Sequence, residues 1–196
     1  MGSNPISSTV LRLVFDSPPL QALHRCGLLE LVARAYQAAV PTSIADETAR
    51  SREASGPDRV PDLAAHPQIA QAEVSDDELA RAGARFLKVH RATTVFTIDG
   101  RQIDRPELDA VLLARRTGAV VVAEDLAAVR TAAALAVPCI GTAELLCDLE
   151  LAGHVADAVA AARAIRATRY SGDDLVLLAS GTRRRAWLAP LTARFT

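Results

Sequence analysis

The sequence predicts a three-layer α/β/α domain, with helices over both faces of a mainly parallel sheet and a β-hairpin inserted into it. Three observations carry that expectation. Short apolar runs, "VLRLVF", "AVVVA" and "PCIG", recur between stretches of helical periodicity, the alternation that a chain of βαβ units produces. Apart from Arg12 these runs are continuously apolar rather than alternating, as in strands covered on both faces. In "TTVFTIDGRQI", β-branched and aromatic residues flank Asp99-Gly100, a dipeptide suited to the positive φ angles of a tight hairpin turn.

Taken in order, Val10 to Phe15 make the first strand, which Asp16, Ser17 and two prolines end. Leu20, Leu23, Leu28, Leu29, Leu31 and Val32 give Leu20 to Tyr36 one or two helices, broken at Gly27. Ala38 to Val40 is a second short strand, and Pro41 opens a helix through Ile44, Ala45 and Ala49, since proline suits a first turn. Ser51 to Pro61, with Gly56, Pro57 and Pro61 among charges, is a loop, and Ile69 to Val74 alternates weakly as a strand. In "SDDELARAGARFL", Ser75 stands as N-cap and Glu78 at the capping-box position, predicting a helix over that stretch. The Asp99-Gly100 hairpin comes next. Pro106 then starts a helix through Val111, Leu112 and Leu113 that ends at Gly118. "AVVVAED" is a strand, "LAAVRTAAALAV" a helix, "PCIG" a short strand and "TAELLCDLELAG" a helix. Val155 to Thr168 is a further helix, and the rest is a helical tail with Trp187 packed back on the body.

The length of 196 residues suits one domain. Its expected parts are a core over about 10–170, an insertion over about 86–104 and the tail over about 171–196. Apolar residues make up 50% and charged residues 23%, with no membrane-spanning run and no leader-like start, so a soluble, cytoplasmic chain is expected. Cys26, Cys139 and Cys147 are widely spaced without a Cys-x-x-Cys pair, which fits reduced structural cysteines. His24, His66, His90 and His154 show no metal-ligand spacing. A net charge of −1 gives no overall attraction for nucleic acid, so phosphate binding would need a local group of arginines.

Chemistry is concentrated in acids at strand ends. "VLRLVFD" finishes in Asp16 and "AVVVAED" in Glu124 and Asp125, while helix starts supply Glu47 beside Asp46, and Glu107 with Asp109. Open parallel sheets bind ligands outside the carboxyl ends of their strands, where the strand order reverses. Several carboxylates meeting there would repel one another unless a hard cation such as Mg²⁺ or Mn²⁺ sat among them. Taken singly, each acid reads equally well as something simpler: Asp16 and Asp125 as N-caps, Glu107 and Asp109 as helix-start acids, Glu47 as a solvated helix residue.

The order and spacing of these motifs resemble the PIN-domain nucleases, in particular the short VapC-like toxins. The family's first strand ends in Asp-Thr-Ser-Pro-Leu before an apolar helix and a glycine-leucine turn, as in "FDSPPLQALHRCGLLELV". Its second acid comes after a strand and a proline, as in "VPTSIADE", with Glu47 at the position. Its third lies in a Gly-Glu-x-Glu-Ala-Ile-x-Leu-Ala helix, for which "PELDAVLLARRTGA" offers Glu107 and Asp109. Its fourth belongs to an acidic pair before an arginine-containing helix and a "PVIGT" strand, as in "VVVAEDLAAVRTAAALAVPCIGT". Pro18 stands for a small hydroxyl residue, Pro106 for a glycine, and Asp109 is one methylene shorter than glutamate.

The resemblance implies a cytoplasmic, metal-dependent endoribonuclease, the toxin of a toxin–antitoxin pair. Asp16, Glu47, Asp109 and Asp125 would then be the catalytic and metal-holding acids for Mg²⁺ or Mn²⁺, with Glu107 and Glu124 as supporting or substitute ligands. On the substrate side, Ser17 would orient water or a ligand or cap its helix; Thr142 would contact phosphate or, the preferred role, cap its helix; and Arg115, Arg116 and Arg130 would engage RNA or remain solvated. The implied partners are RNA, a small antitoxin and a second copy of the chain, with the inserted hairpin as the dimer or partner surface and no membrane contact. A non-catalytic PIN-like module binding RNA or protein is the alternative. A phosphotransfer domain using Asp16 as nucleophile is weaker, because no second acid lies two residues on and no strand-end lysine comes after the later strands.

Overall fold

The computed structural model describes residues 10–90, 93–168, 170 and 172–195. Residues 91 and 92 of the expected insertion and residue 171 at the start of the expected tail lie outside them. Five parallel strands form the central sheet: β1 (Arg12–Phe15), β2 (Gln37–Pro41), β3 (Ala70–Ala72), β7 (Val120–Val122) and β8 (Cys139–Ile140). Their order is β3-β2-β1-β7-β8. From β1 the chain steps outward to β2 and β3, then returns to the other side of β1 for β7 and β8, so the order reverses between β1 and β7.

The helices are α1 (Ser17–Arg25), α2 (Leu29–Ala35), α3 (Thr42–Ser55), α4 (Asp76–Arg81), α5 (Arg105–Thr117), α6 (Leu126–Ala134), α7 (Thr142–Leu151), α8 (Ala158–Ala167), α9 (Asp173–Ala179) and α10 (Leu191–Phe195). Helix α5 lies on β1, β2 and β7 with α3 and α6 at its flanks, while α1, α7, α8 and α9 form a second group. Strand side chains Leu13, Val14, Phe15, Val120, Val121 and Val122 are buried on both faces of the sheet between these layers. At roughly 1.5–3 kcal/mol for each fully buried large aliphatic or aromatic side chain, this interior is the main source of stability. The three-layer α/β/α expectation therefore holds.

The tail is fastened by polar contacts, buried at Asp148 and half-buried at Glu150. Asp148 on α7 accepts hydrogen bonds from Tyr36 Oη and from the Leu191 amide at 2.7 Å, and Arg183 forks onto Glu150 at 2.7 and 2.9 Å. Trp187 is buried beside them, as the sequence suggests. The cysteines are free thiols, and burial pushes Cys139 up to about 12 and Cys147 to about 11, so neither is a ready nucleophile.

Two expectations need correcting. Helix α3 continues to Ser55, well into the expected loop. The helix that starts at Ser75 does carry the predicted capping box, Ser75 with Glu78, but stops at Arg81 instead of running to Leu87. Gly83, at φ +80°, turns the chain out of the helix. Beyond it, β4 (Arg85–His90), β5 (Thr93–Ile98) and β6 (Arg101–Asp104) form a separate antiparallel sheet in the order β4-β5-β6. The predicted hairpin is its β5–β6 half: Asp99 and Gly100 take φ of 48° and 74°, the pair of left-handed residues of a type I′ turn. Val95, Phe96, Ile98 and Ile103 are buried and join this sheet to the body through α5 and α6, whereas every side chain of β4 is exposed. No residue separates β6 from α5.

Candidate active site

Asp16 stands at the reversal point of the sheet. Its amide donates to the Val122 carbonyl at 3.0 Å, joining the end of β1 to the end of β7. It is also the N-cap of α1: Oδ1 accepts the Ser17 amide at 2.8 Å. Oδ2 is different, being buried with no hydrogen-bond partner among the described residues. Such an atom leaves the carboxyl costly to ionise. Burial, followed by the charges of Glu47 and Asp125, pushes Asp16 up to about 7, against the pull of the Ser17 amide.

Glu107 faces the same crevice from the first turn of α5. Its carboxyl is pushed up to about 8 by burial and then by Asp16, Asp125 and Asp104, while the Asp104 amide, donating to it, pulls the other way. Glu47, on α3, is raised by burial and by Asp104 and held back by Arg50. Asp125 lies beyond the end of β7, is exposed, and caps α6 by accepting the Ala127 amide at 2.6 Å. The capping reading of Asp16 and Asp125 and the site reading are thus compatible: one oxygen caps, and the charge still bears on the crevice. The cleft of about 520 Å³ here is lined by Asp16, Ser17, Ser43, Glu47, Arg50 and Glu107, with Asp104 and Thr93 also on its wall.

Asp109, expected among the metal-holding acids, is not brought to this group. It is buried, with Arg105 Nε donating to its two oxygens at 2.8 and 2.9 Å and Ser43 Oγ donating at 2.7 Å. Burial raises its pKa while Ser43 and Arg105 oppose the rise. Arg105 also donates to Asp76 at 3.0 Å and to the Val74 carbonyl at 3.0 Å, so the pair ties α5 to the start of α4. Two residues apart on a helix means about 200° of rotation at 3.6 residues per turn. Glu107 faces the crevice, and Asp109 lies behind its wall, bonded to Ser43 and Arg105, which both line it.

Glu124 also serves another purpose. Its Oε1 accepts the Thr142 amide at 2.7 Å, supplying the first turn of α7 with the acceptor that its N-cap, Gly141, lacks. A Cβ placed on Gly172 would overlap Glu124 Oε2, so a larger residue at the start of α9 would have to displace this carboxylate. Thr142 is therefore capped rather than capping, and its hydroxyl lies 3.4 Å from Tyr170 Oη. Ser17 is buried at the cleft and accepts from Gln21 at 3.1 Å.

The arginines expected at the substrate are elsewhere. Arg115 and Arg116 close the far end of α5, roughly 12 Å along the axis from Glu107 at 1.5 Å per residue. Arg116 pairs with Glu78 at 2.9 Å. Arg130 is exposed on α6, beyond the cleft lining. Besides Arg105, which is bound to Asp109 and Asp76, the cation at the crevice is Arg50, one turn after Asp46-Glu47. Its i+3 spacing from Glu47 on a helix was the available signal.

The residues suit a hard divalent ion in donor chemistry: all-oxygen, acidic, with one buried oxygen unpaired. They are not gathered for it, since among the described residues no group of three or more His, Cys, Asp or Glu side chains could hold a metal ion as placed. No helix among the described residues is long and apolar enough to cross a membrane.

No curated protein and no solved structure matches the chain. The DUF3368 family model, described as a PIN domain, matches residues 12–176. That span begins with β1 and takes in Asp16, Glu47, Glu107 and Asp125 on the one sheet edge where the strand order reverses: the chain belongs to the PIN-domain family.

Proposed function

We propose that the protein is a divalent-metal-dependent endoribonuclease, and that it acts as the VapC-like toxin of a toxin–antitoxin pair. PIN domains are commonly nucleases and generally use divalent metals. The observation that carries the reading is the unpaired, buried Oδ2 of Asp16 at the reversal point, in a crevice it shares with Glu107, whose own carboxyl the Asp16 charge helps to raise. Asp16, Glu47, Glu107 and Asp125 would hold Mg²⁺ or Mn²⁺, with Glu107 taking the role first expected of Asp109. Bound there, the ion would acidify a water and offset charge on a phosphodiester.

The chain's own residues do the rest. Burial and the neighbouring acids raise both Asp16 and Glu107, and any proton they hold must leave before either acid can act as a ligand, so loading is favoured as pH rises. Arg50, on the rim, positions a phosphate over the acids. Ser17, buried at the start of α1, presents its hydroxyl to the same space. An antitoxin and a second copy of the chain are proposed partners, supported by exposed Phe86, Leu87 and Val89 on β4. The cytoplasm is the proposed compartment. A second reading, a non-catalytic module that binds RNA or protein, draws on Glu124 and Asp125 being engaged at helix starts and on the ungathered acids.

The test is cleavage of several RNA pools with Mn²⁺, repeated with EDTA and with Asp16→Ala and Glu107→Gln. Loss of cleavage in all three, with the fold retained by circular dichroism, is the expected result. Cleavage that survives EDTA and both substitutions would overturn the mechanism; no cleavage of any pool and no metal binding would favour the module.

A further inference from the structure

A second cleft, of about 380 Å³, runs beneath the antiparallel sheet and is lined by Lys88, His90, Val95 and Gln102 together with Glu107 and Asp125. Asp104 and Glu107 line both this cleft and the crevice that holds Asp16 and Arg50. The acids therefore stand where two grooves join, with Arg50 on one side and Lys88 and His90 on the other.

The strand pairing sets those two side chains on the face that lines this cleft. Strict alternation would set Phe86, Lys88 and His90 on one face of β4. The pairing instead slips at Leu87: Phe86 opposes Phe96, whereas Lys88 opposes Val95 and His90 opposes Thr93. Directly opposed residues share a face, and Val95 in turn opposes Asp104. The bulge thus sends Phe86 to the face that carries Phe96, edge-on to its ring at 6.3 Å, and turns Lys88 and His90 to the face that carries Val95 and Asp104. Bulges beside active sites re-aim side chains in this way. Among the described residues neither the Lys88 nor the His90 side chain has a hydrogen-bond or ion-pair partner, and both are exposed.

We propose that this face is a phosphate-binding subsite for a single-stranded polynucleotide, which would run from Arg50 past the acids to Lys88 and His90. The subsite rests on the nuclease reading and deepens it. The Lys88 ammonium and the His90 ring N–H bind backbone phosphate oxygens on one side of the acids, and Arg50 binds one on the other. Grooves of this size hold a few nucleotides of one strand rather than a duplex. Val95 offers an apolar floor to a base, and the Gln102 amide can hydrogen-bond its edge.

Affinity for a short fluorescent single-stranded RNA, measured by anisotropy in EDTA over a range of salt, tests the subsite without turnover. Lys88→Ala should lower the slope of log K against log salt by about 0.7, the value of one phosphate contact on a single strand. His90→Ala should weaken binding about tenfold, as expected for one hydrogen bond to a charged group. Lys88→Arg should restore the slope, and Arg115→Ala, at the opposite end of α5, should leave it unchanged. If the wild type cleaves or binds RNA but Lys88→Ala and His90→Ala bind with its slope and affinity, the subsite is overturned and the nuclease reading stands. If the wild type neither binds nor cleaves, both fall.

Discussion

Asp16→Asn removes a buried charge while keeping the shape of the side chain and the Oδ1 contact to the Ser17 amide. In the native protein Asp16 is raised from 3.8 to about 7, about three units, and at roughly 1.4 kcal/mol per unit this sets a ceiling of about 4 kcal/mol. The native pKa exceeds the unfolded one, so the native state holds the proton more tightly. The stability this contributes is complete below about pH 4, where both states are protonated, and is lost as pH rises towards about 7. The asparagine variant has no such loss, and without the Asp16 charge Glu107 and Glu47 also experience less repulsion. At pH 4 the two proteins should differ little, because asparagine and a protonated carboxyl each leave one polar group unpaired at the Oδ2 position. At pH 8 the variant should be the more stable, by about 2–4 kcal/mol. Urea unfolding in EDTA, monitored by Trp187 fluorescence, reads the difference as a midpoint shift of about 1–2 M for an m-value near 2 kcal/mol/M. Stability curves that run parallel from pH 4 to pH 8 would refute the reasoning, since Asp16 would then be neither strained nor coupled to the other acids.

Asp109→Ala should behave in the opposite way to Glu107→Gln. Removing Asp109 strands Arg105 and should cost about 2–4 kcal/mol, measured by denaturation, while Glu107→Gln relieves repulsion and should be neutral or stabilising; the reverse order would return Asp109 to the acid group. Gly172→Ala should drive Glu124 off the start of α7 and lower stability by about 1–3 kcal/mol, and a melting temperature equal to wild type would show that the carboxylate moves freely. Replacing Thr93–Ile103 by a short Gly-Ser linker should change the oligomeric state seen by light scattering, and unchanged mass would remove the hairpin as an assembly surface.

Much of the fold was legible because local and global signals agree. A buried parallel strand needs a continuous apolar run, so "VLRLVF" and "AVVVA" announce themselves, and Asp99-Gly100 marks its turn because few other dipeptides adopt two positive φ angles. Helix α4 shows the limit: a capping box fixes where a helix begins, not where it ends. Strand β4 exists because β5 lies beside it, and no local pattern in "RFLKVH" says so. The site divides similarly. Asp16 and Asp125 could be placed from strand ends alone, since a strand's carboxyl end is fixed by its direction. Choosing between Glu107 and Asp109 required the rotation of α5 about its axis, which is set by Leu108, Val111 and Leu112 packing on the body. The arginines stand away from the acids for a related reason. Residue type says that Arg115 and Arg116 can bind phosphate, but a helix that returns antiparallel to its strands carries its last turn to the opposite edge of the sheet.

Between Asp104 and Arg105 the chain has no slack: the last residue of β6 is joined directly to the first of α5. A flexible tether would let the small sheet swing without disturbing the helix behind it. Here the strand and the helix are rigidly spliced, and Glu107 sits two residues beyond the first residue of that helix. A tilt of the sheet would pass through this junction directly to the first turn of α5, which carries Glu107. The outer strand is in mechanical terms a handle, and the Arg105 clamp on Asp109, Asp76 and Val74 is the bearing that limits how far it can turn.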